Sequence, residues 1–147
     1  MDIFEALRHD HDIQRELIRR LIKTHGDTQE RDKLFAQLKQ ELVAHATAEE
    51  RIFYMPLMQN DFTQGKCRHS IAEHHEIDEL IEALETTPYS SPQWLVKAKQ
   101  LEEKVEHHLS EEEHEVFQMA GKTITQKAKQ GMAGMYHREM DTQRKTA

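Results

Sequence analysis

Apolar residues recur every three or four positions through most of the chain, and no stretch alternates in the two-residue step of a strand. Ile3, Leu7, Ile18 and Leu21 mark a first stripe, widened by Phe4 and Leu17. Asp2 stands as its cap, with Glu5 three residues on in the spacing of a capping box. Gly26 is expected to end this helix and Asp27-Thr28-Gln29-Glu30 to open the next with a second box. Leu34, Phe35, Leu38, Leu42, Ile52 and Phe53 carry the second stripe to about Met55, where Pro56 disturbs the backbone ladder. Asn60-Asp61 to Gly65 reads as a loop. Ile71, Ile77, Ile81 and Leu84 mark a third helix ending near Thr86-Thr87-Pro88. Ser91-Pro92, a cap followed by proline in the first turn, starts a fourth with Trp94, Ala98, Leu101, Val105, Val116 and Met119 on its stripe. Beyond Gly121 the pattern weakens, and Thr125 to about Arg144 reads as a further helix loosened by Gly131 and Gly134. The pattern predicts an all-α fold. Residues 1–121 form an antiparallel up-down-up-down four-helix bundle, and residues 122–147 form a C-terminal helical extension that packs on it or trails from it.

Six polar residues interrupt these stripes. His11 lies one turn beyond Leu7, His45 and Glu49 fall on the second stripe, His74 on the third, and His108 and Glu112 on the fourth. Each His-x-x-x-Glu pair puts an imidazole and a carboxylate on one helix face. A shift of 63 residues takes His11 to His74, His45 to His108 and Glu49 to Glu112, and it also carries Ile18 to Ile81 and Leu38 to Leu101. The repeated features are therefore the core stripe and the polar residues set into it, which an approximate two-fold axis would gather at the middle of the bundle.

Composition sharpens this picture in two ways. The chain of 147 residues is about one domain, 37% hydrophobic and 32% charged, and it holds eleven histidines. Helical phase sorts them: His9, His69, His75, His107 and His114 align with polar neighbours, His25 lies in a turn, and His137 is in the weak terminal segment. His11, His45, His74 and His108 stay on apolar faces. A net charge of −7 argues against a nucleic-acid partner. No apolar run approaches the roughly 18 residues of a membrane span. Met1 to Glu5 lacks the basic-then-apolar order of a signal peptide, and the single cysteine, Cys67, suits a reducing cytosol. The expected location is cytoplasmic; the chain carries no signal for an oligomeric state.

Burying an unpaired carboxylate costs several kcal/mol, a large part of a domain's folding stability. No lysine or arginine lies on the inward stripes to pair with Glu49 and Glu112. A metal centre resolves this, with a metal-free polar core network as the plainer alternative. Six donors exceed the set of one zinc, and two near-equal halves suit two metals sharing the carboxylates. Iron fits nitrogen and oxygen donors with open positions; manganese and zinc accept the same set. The order differs from ferritin-like bundles, which use Glu-x-x-His on two helices and a lone Glu on the others.

The chain resembles the hemerythrin-like proteins of the histidine–histidine–glutamate (HHE) cation-binding class. The resemblance is carried by Asp2 to Asp12, by His45 to Glu50 followed by Phe53-Tyr54, by Glu73-His74-His75-Glu76-Ile77, and by His107 to Glu113 with Val116-Phe117, over roughly residues 2 to 120. It implies a four-helix bundle around a non-haem di-iron centre with His11, His45, Glu49, His74, His108 and Glu112 as metal ligands. Two departures stand out. Oxygen-carrying hemerythrins have His-x-x-x-His on the third helix, where this chain has Ser70 before His74. Their fourth helix uses a histidine and an aspartate five residues on, a spacing that His107 and Glu112 reproduce, which makes His107 the alternative to His108.

The leading expectation is therefore a cytosolic protein with two iron ions that reacts with or senses dioxygen, peroxide or nitric oxide. Iron storage or sensing without catalysis, and reversible oxygen binding, are the alternatives; a metal-free helical adaptor is a third. Tyr54 and Tyr136 bring hydroxyls near the centre by position, without an assigned role. Glu50, Glu111 and Glu113 read as solvated.

Overall fold

Asp2 accepts the backbone N–H of Glu5 (2.9 Å) while Glu5 accepts that of Asp2 (3.2 Å), and this capping box opens α1 (Ile3–Ile22). The structure, a computed structural model, describes residues 1–146; Ala147, the end of the expected 122–147 extension, lies outside the described residues. The first helix ends at Ile22, before Gly26. Thr24 Oγ1 donates to the Leu21 carbonyl (2.6 Å) and Arg31 donates to Thr24, which folds the chain back early. Gly26 then takes the left-handed φ of 61° that the turn requires. Thr28, not a second capping box, starts α2 (Gln29–Glu49) by accepting the Arg31 N–H.

The second bundle helix continues where an end is expected near Met55. A π turn (Glu50–Tyr54) follows α2 and leads into α3 (Met55–Met58), so that Met55 N–H reaches Glu50 rather than Arg51. Pro56 then sits in a first turn, where its missing N–H costs nothing. The expected loop from Asp61 to Gly65 is the start of α4 (Asp61–Glu85). Asn60 caps Phe62 N at 2.8 Å, and Thr63 Oγ1 ties back to Leu57. Ser91 caps α5 (Pro92–Glu111), which passes through a second π turn (Glu112–Val116) into α6 (Phe117–Gly121). The residue gained in that turn rotates the inward face, burying Phe117 and Ala120 and leaving Met119 only partly covered. The terminal α7 (Gln126–Thr146) is a full helix despite its glycines, because Ala133, Tyr136 and Met140 bury one stripe against the bundle.

The described residues are helical and contain no strand. The four bundle helices are α1, α2–α3, α4 and α5–α6; α1 packs on α2 and α5, α4 packs on α5, and α7 lies across α1 and α2. The apolar core is in two parts. One holds Ile3, Leu7, Phe53, Leu57, Val116 and Phe117 with the face of α7, and the other holds Ile18, Leu38, Ile81, Leu84, Trp94 and Leu101. On every bundle helix the embedded histidines and glutamates fall between these parts. Among the described residues no helix is long and apolar enough to cross a membrane.

Candidate metal centre

The structure brings His11, His45, Glu49, His74, His108 and Glu112 into that middle layer, all buried, while the other seven histidines are exposed. They form two groups of four. Ligand-type atoms of His11, His45, Glu49 and Glu112 lie within 4.8 Å of one another, and so do those of Glu49, His74, His108 and Glu112. The two carboxylates are common to both groups. Glu49 Oε1 is 3.5 Å from His45 Nε2 and 3.2 Å from His74 Nε2. Glu112 faces His11 Nε2 with Oε1 (3.1 Å) and His108 Nε2 with Oε2 (3.8 Å). His107 is on the outside, 3.1 Å from Glu111, so the alternative to His108 does not reach the layer.

Every one of the four imidazoles is held from behind. Nδ1 of His11 donates to Glu113 (2.7 Å), that of His74 to Glu50 (2.7 Å), and that of His108 to Glu73 (2.9 Å). His45 Nδ1 donates to the hydroxyl of Tyr136 (2.6 Å), which in turn donates to Asp10 (2.5 Å). With Nδ1 protonated toward an acceptor, each Nε2 keeps its lone pair for the interior. Glu50 and Glu113 are thus not simply solvated, as their places beside Glu49 and Glu112 suggest. The π turns that begin at Glu50 and Glu112 bend the backbone at this point, and such turns recur at functional sites. Glu111 remains peripheral, paired with His69 (3.3 Å) and His107. Glu73 and Asp10 were not singled out by the stripes, although the 63-residue shift relates them too.

Residues 2–120 match the hemerythrin HHE cation-binding domain family. The chain belongs to that family. A hemerythrin HHE cation-binding domain-containing protein from Mycobacterium kansasii has the same fold, with a TM-score of 0.89 at 22% identity over 99% of this chain and 89% of that one. The chain is also 29% identical over 117 residues to a DNA nickase from Nostoc sp., a stretch that is 80% of this chain and 33% of that protein. It therefore spans about a third of the length of that relative.

The donor set suits the cation that an HHE domain binds. Nε2 of His11, His45, His74 and His108, both oxygens of Glu49 and Oε1 of Glu112 are buried without a hydrogen-bond partner. Seven unpartnered atoms converging in one layer form a cradle for cations, since buried polar groups otherwise find partners. The electrostatics agree. Burial raises both inner carboxyls, but the imidazole of His45 and its neighbours hold Glu49 well below the usual range. Glu112, buried beside that charge, is raised well above it. Protein groups alone thus stabilise one charge of the pair, and a cation would stabilise both. Burial likewise pulls His11 down to about 4, while around His74 the carboxylates of Glu49 and Glu50 outweigh burial and lift it to about 9.

Two aromatic residues complete the layer. Phe117 lies nearly parallel to His11, with ring centres 6.0 Å apart, and Tyr54 covers His74 at 5.8 Å. The 63-residue shift relates Tyr54 to Phe117. The Tyr54 hydroxyl donates to Glu112 Oε2, so one of the two shared carboxylates carries a phenol. Tyr136 enters from α7, a helix without a counterpart in the other half, and only its position between two acceptor-rich helices marks it. Burial, then the charge of Asp10, raises its phenol far above the ordinary range, so it stays protonated.

Proposed function

We propose that the chain is a non-haem di-iron protein whose metal pair reacts with or senses dioxygen, peroxide or nitric oxide. His11 and His45 would hold one iron and His74 and His108 the other, with Glu49 and Glu112 shared between them. The observation that carries this reading is the sharing: two four-residue groups use the same two carboxylates, and their inward atoms have no other partner. Iron would supply one-electron exchange with small oxygen or nitrogen ligands, and nitrogen–oxygen donor sets of this kind suit it.

The chain's own contribution is orientation, exclusion of water and proton placement. Acceptors behind the imidazoles fix their rings and raise their basicity. Phe4, Phe53 and Phe117 pack edge-to-face or tilted over one end of the layer and keep it dry. Tyr54 holds a proton on a hydroxyl that touches Glu112, at the edge of the reacting volume. That phenol, together with Ser70 at the place of a further histidine in oxygen carriers, favours chemistry over reversible carriage. The partner is a small diatomic or peroxide, with neither nucleic acid nor membrane; the net charge of −7 gives no reason to transfer the nicking of DNA from the much longer Nostoc protein. A cytoplasmic setting fits the lone, buried Cys67.

The test is elemental analysis and an absorption spectrum of protein purified without chelators, followed by mixing the reduced form with oxygen and with peroxide. Iron with near-ultraviolet ferric bands and peroxide turnover that falls in Tyr54→Phe support the reading. Protein that carries no iron and refuses reconstitution defeats it. Reversible oxygen uptake without turnover would instead favour the carrier reading.

A further inference from the structure

Gln14 is an inward polar side chain of this layer that neither belongs to the six nor bonds to them. It is 2% exposed, and its Nε2 has no hydrogen-bond partner. A buried amide left unpaired is destabilising, by an amount that a leucine of similar size would avoid. Its side chain lines a cavity of about 10 Å³ together with Leu42, Ile77, His45, His74 and His108. That volume is about one water-sized sphere. The cavity therefore touches imidazoles from both groups of four and has an apolar wall of Leu42 and Ile77, while Asp78, an exposed residue, also lines it.

The 63-residue shift relates Gln14 to Ile77, and both line this cavity. One half of the repeat presents an amide where the other presents a hydrocarbon. Nothing in the packing requires the amide, since its counterpart shows that a branched apolar side chain fits the related position. An amide N–H donates to an oxygen or nitrogen lone pair, and among buried groups such a bond is stronger than in water.

We infer that Gln14 is the hydrogen-bond donor to a diatomic-sized oxygen or nitrogen ligand seated in this cavity, an inference that rests on the two-metal reading above. The amide holds the distal atom of the ligand, while Leu42 and Ile77 exclude larger or more strongly hydrated molecules. Gln14 is in this sense a positioning residue for the exogenous ligand and takes no part in holding the metals.

The experiment uses nitric oxide on the full chain loaded with ferrous iron, comparing wild type with Gln14→Leu. Iron content is measured first, which separates failure of the metal reading from failure of this one. With two irons in both proteins, nitric oxide is expected to leave Gln14→Leu about tenfold faster, the size of one buried hydrogen bond. Its N–O stretching frequency is expected to shift. The variant is also expected to melt higher than wild type, because the unpaired amide is gone. Equal dissociation rates and equal stretching frequencies overturn the proposal. If wild type holds no iron, the melting comparison still decides: a Gln14→Leu protein that melts no higher than wild type shows that the amide is already satisfied, and the proposal falls.

Discussion

The half of the centre built on His11 and His45 and the half built on His74 and His108 offer the same donors, yet their surroundings differ. Behind His108 stands Glu73, in direct contact; the related position behind His45 is Asp10, one methylene shorter, and the hydroxyl of Tyr136 bridges the distance. Over His74 lies the phenol of Tyr54, and over His11 the plain ring of Phe117. Gln14 and Ile77, related by the same shift, both line the cavity between the halves, one with an amide and the other with a hydrocarbon. A repeat that preserves its six central residues and varies their neighbours yields two groups of four donors with the same residue types but unequal proton and hydrogen-bond supply. The fifth helix makes part of that inequality, because α7 packs mainly on α1, α2 and the π turn that follows α2, and delivers Tyr136 to the His45 half.

The largest test asks whether the halves stand together. Metal removal takes the cations from seven unpartnered buried atoms. A ligand present at a thousand times its Kd contributes about 4 kcal/mol. Thermal melts with and without chelator are therefore expected to differ by several kcal/mol in stability, and an unchanged melt would make the layer a self-sufficient polar network. Next in size, Glu73→Ala and Tyr136→Phe each remove the support of one imidazole. Loss of such a partner typically weakens metal binding by about 10–100-fold. Each variant is expected to give one tight and one weak ion in a binding isotherm, and a uniform loss at both would show that the halves do not act separately.

Acid sharpens the same comparison. Burial alone would raise Glu73 and Glu113, but hydrogen bonds from His108 and from His11 with Arg15 outweigh it and hold both at about 2. A carboxyl depressed in the folded state stabilises it above the unfolded value of about 4.3, and that contribution is lost as pH falls toward the folded value. Metal-free protein should therefore lose stability between about pH 4.3 and 2, and Glu73→Gln and Glu113→Gln should each flatten part of that fall, one for each half. The smallest effect is expected at Arg144, which pairs with Glu41 (3.0 Å) and Asp10 (3.4 Å) near the edge of the His45 half. Partly exposed ion pairs contribute about 1 kcal/mol or less. Denaturant unfolding of Arg144→Ala should register no more than that.

Much of this was legible in the chain itself. Period, caps and the 63-residue echo lead to the bundle, and phase separates the four inward histidines from seven exposed ones, because burial follows the helical stripe. What phase could not show is what stands behind the imidazoles. Glu50 and Glu113 follow inward residues directly, so they read as outward; the π turns re-aim the backbone there, and an extra residue in a helix turn leaves no mark in an apolar pattern. Glu73 reads as outward beside His69, although its long side chain curls back to His108. Tyr136 lies in a segment with two glycines and little stripe, and its burial depends on the docking of α7, a tertiary event. The helix ends were misplaced at Gly26 and Gly65 for a related reason. Thr24 Oγ1 donating to the Leu21 carbonyl and Asn60 Oδ1 accepting the Phe62 N–H decide those turns, and composition counts only the glycines.

An anaerobic ferrous titration of wild type and Glu112→Ala tests the shared carboxylates most directly. Two equivalents per chain in wild type, with both ions weakened in Glu112→Ala, is the predicted result. A single equivalent in wild type, or a second ion in the variant that binds as tightly as before, would contradict a centre in which two metals depend on the same two glutamates.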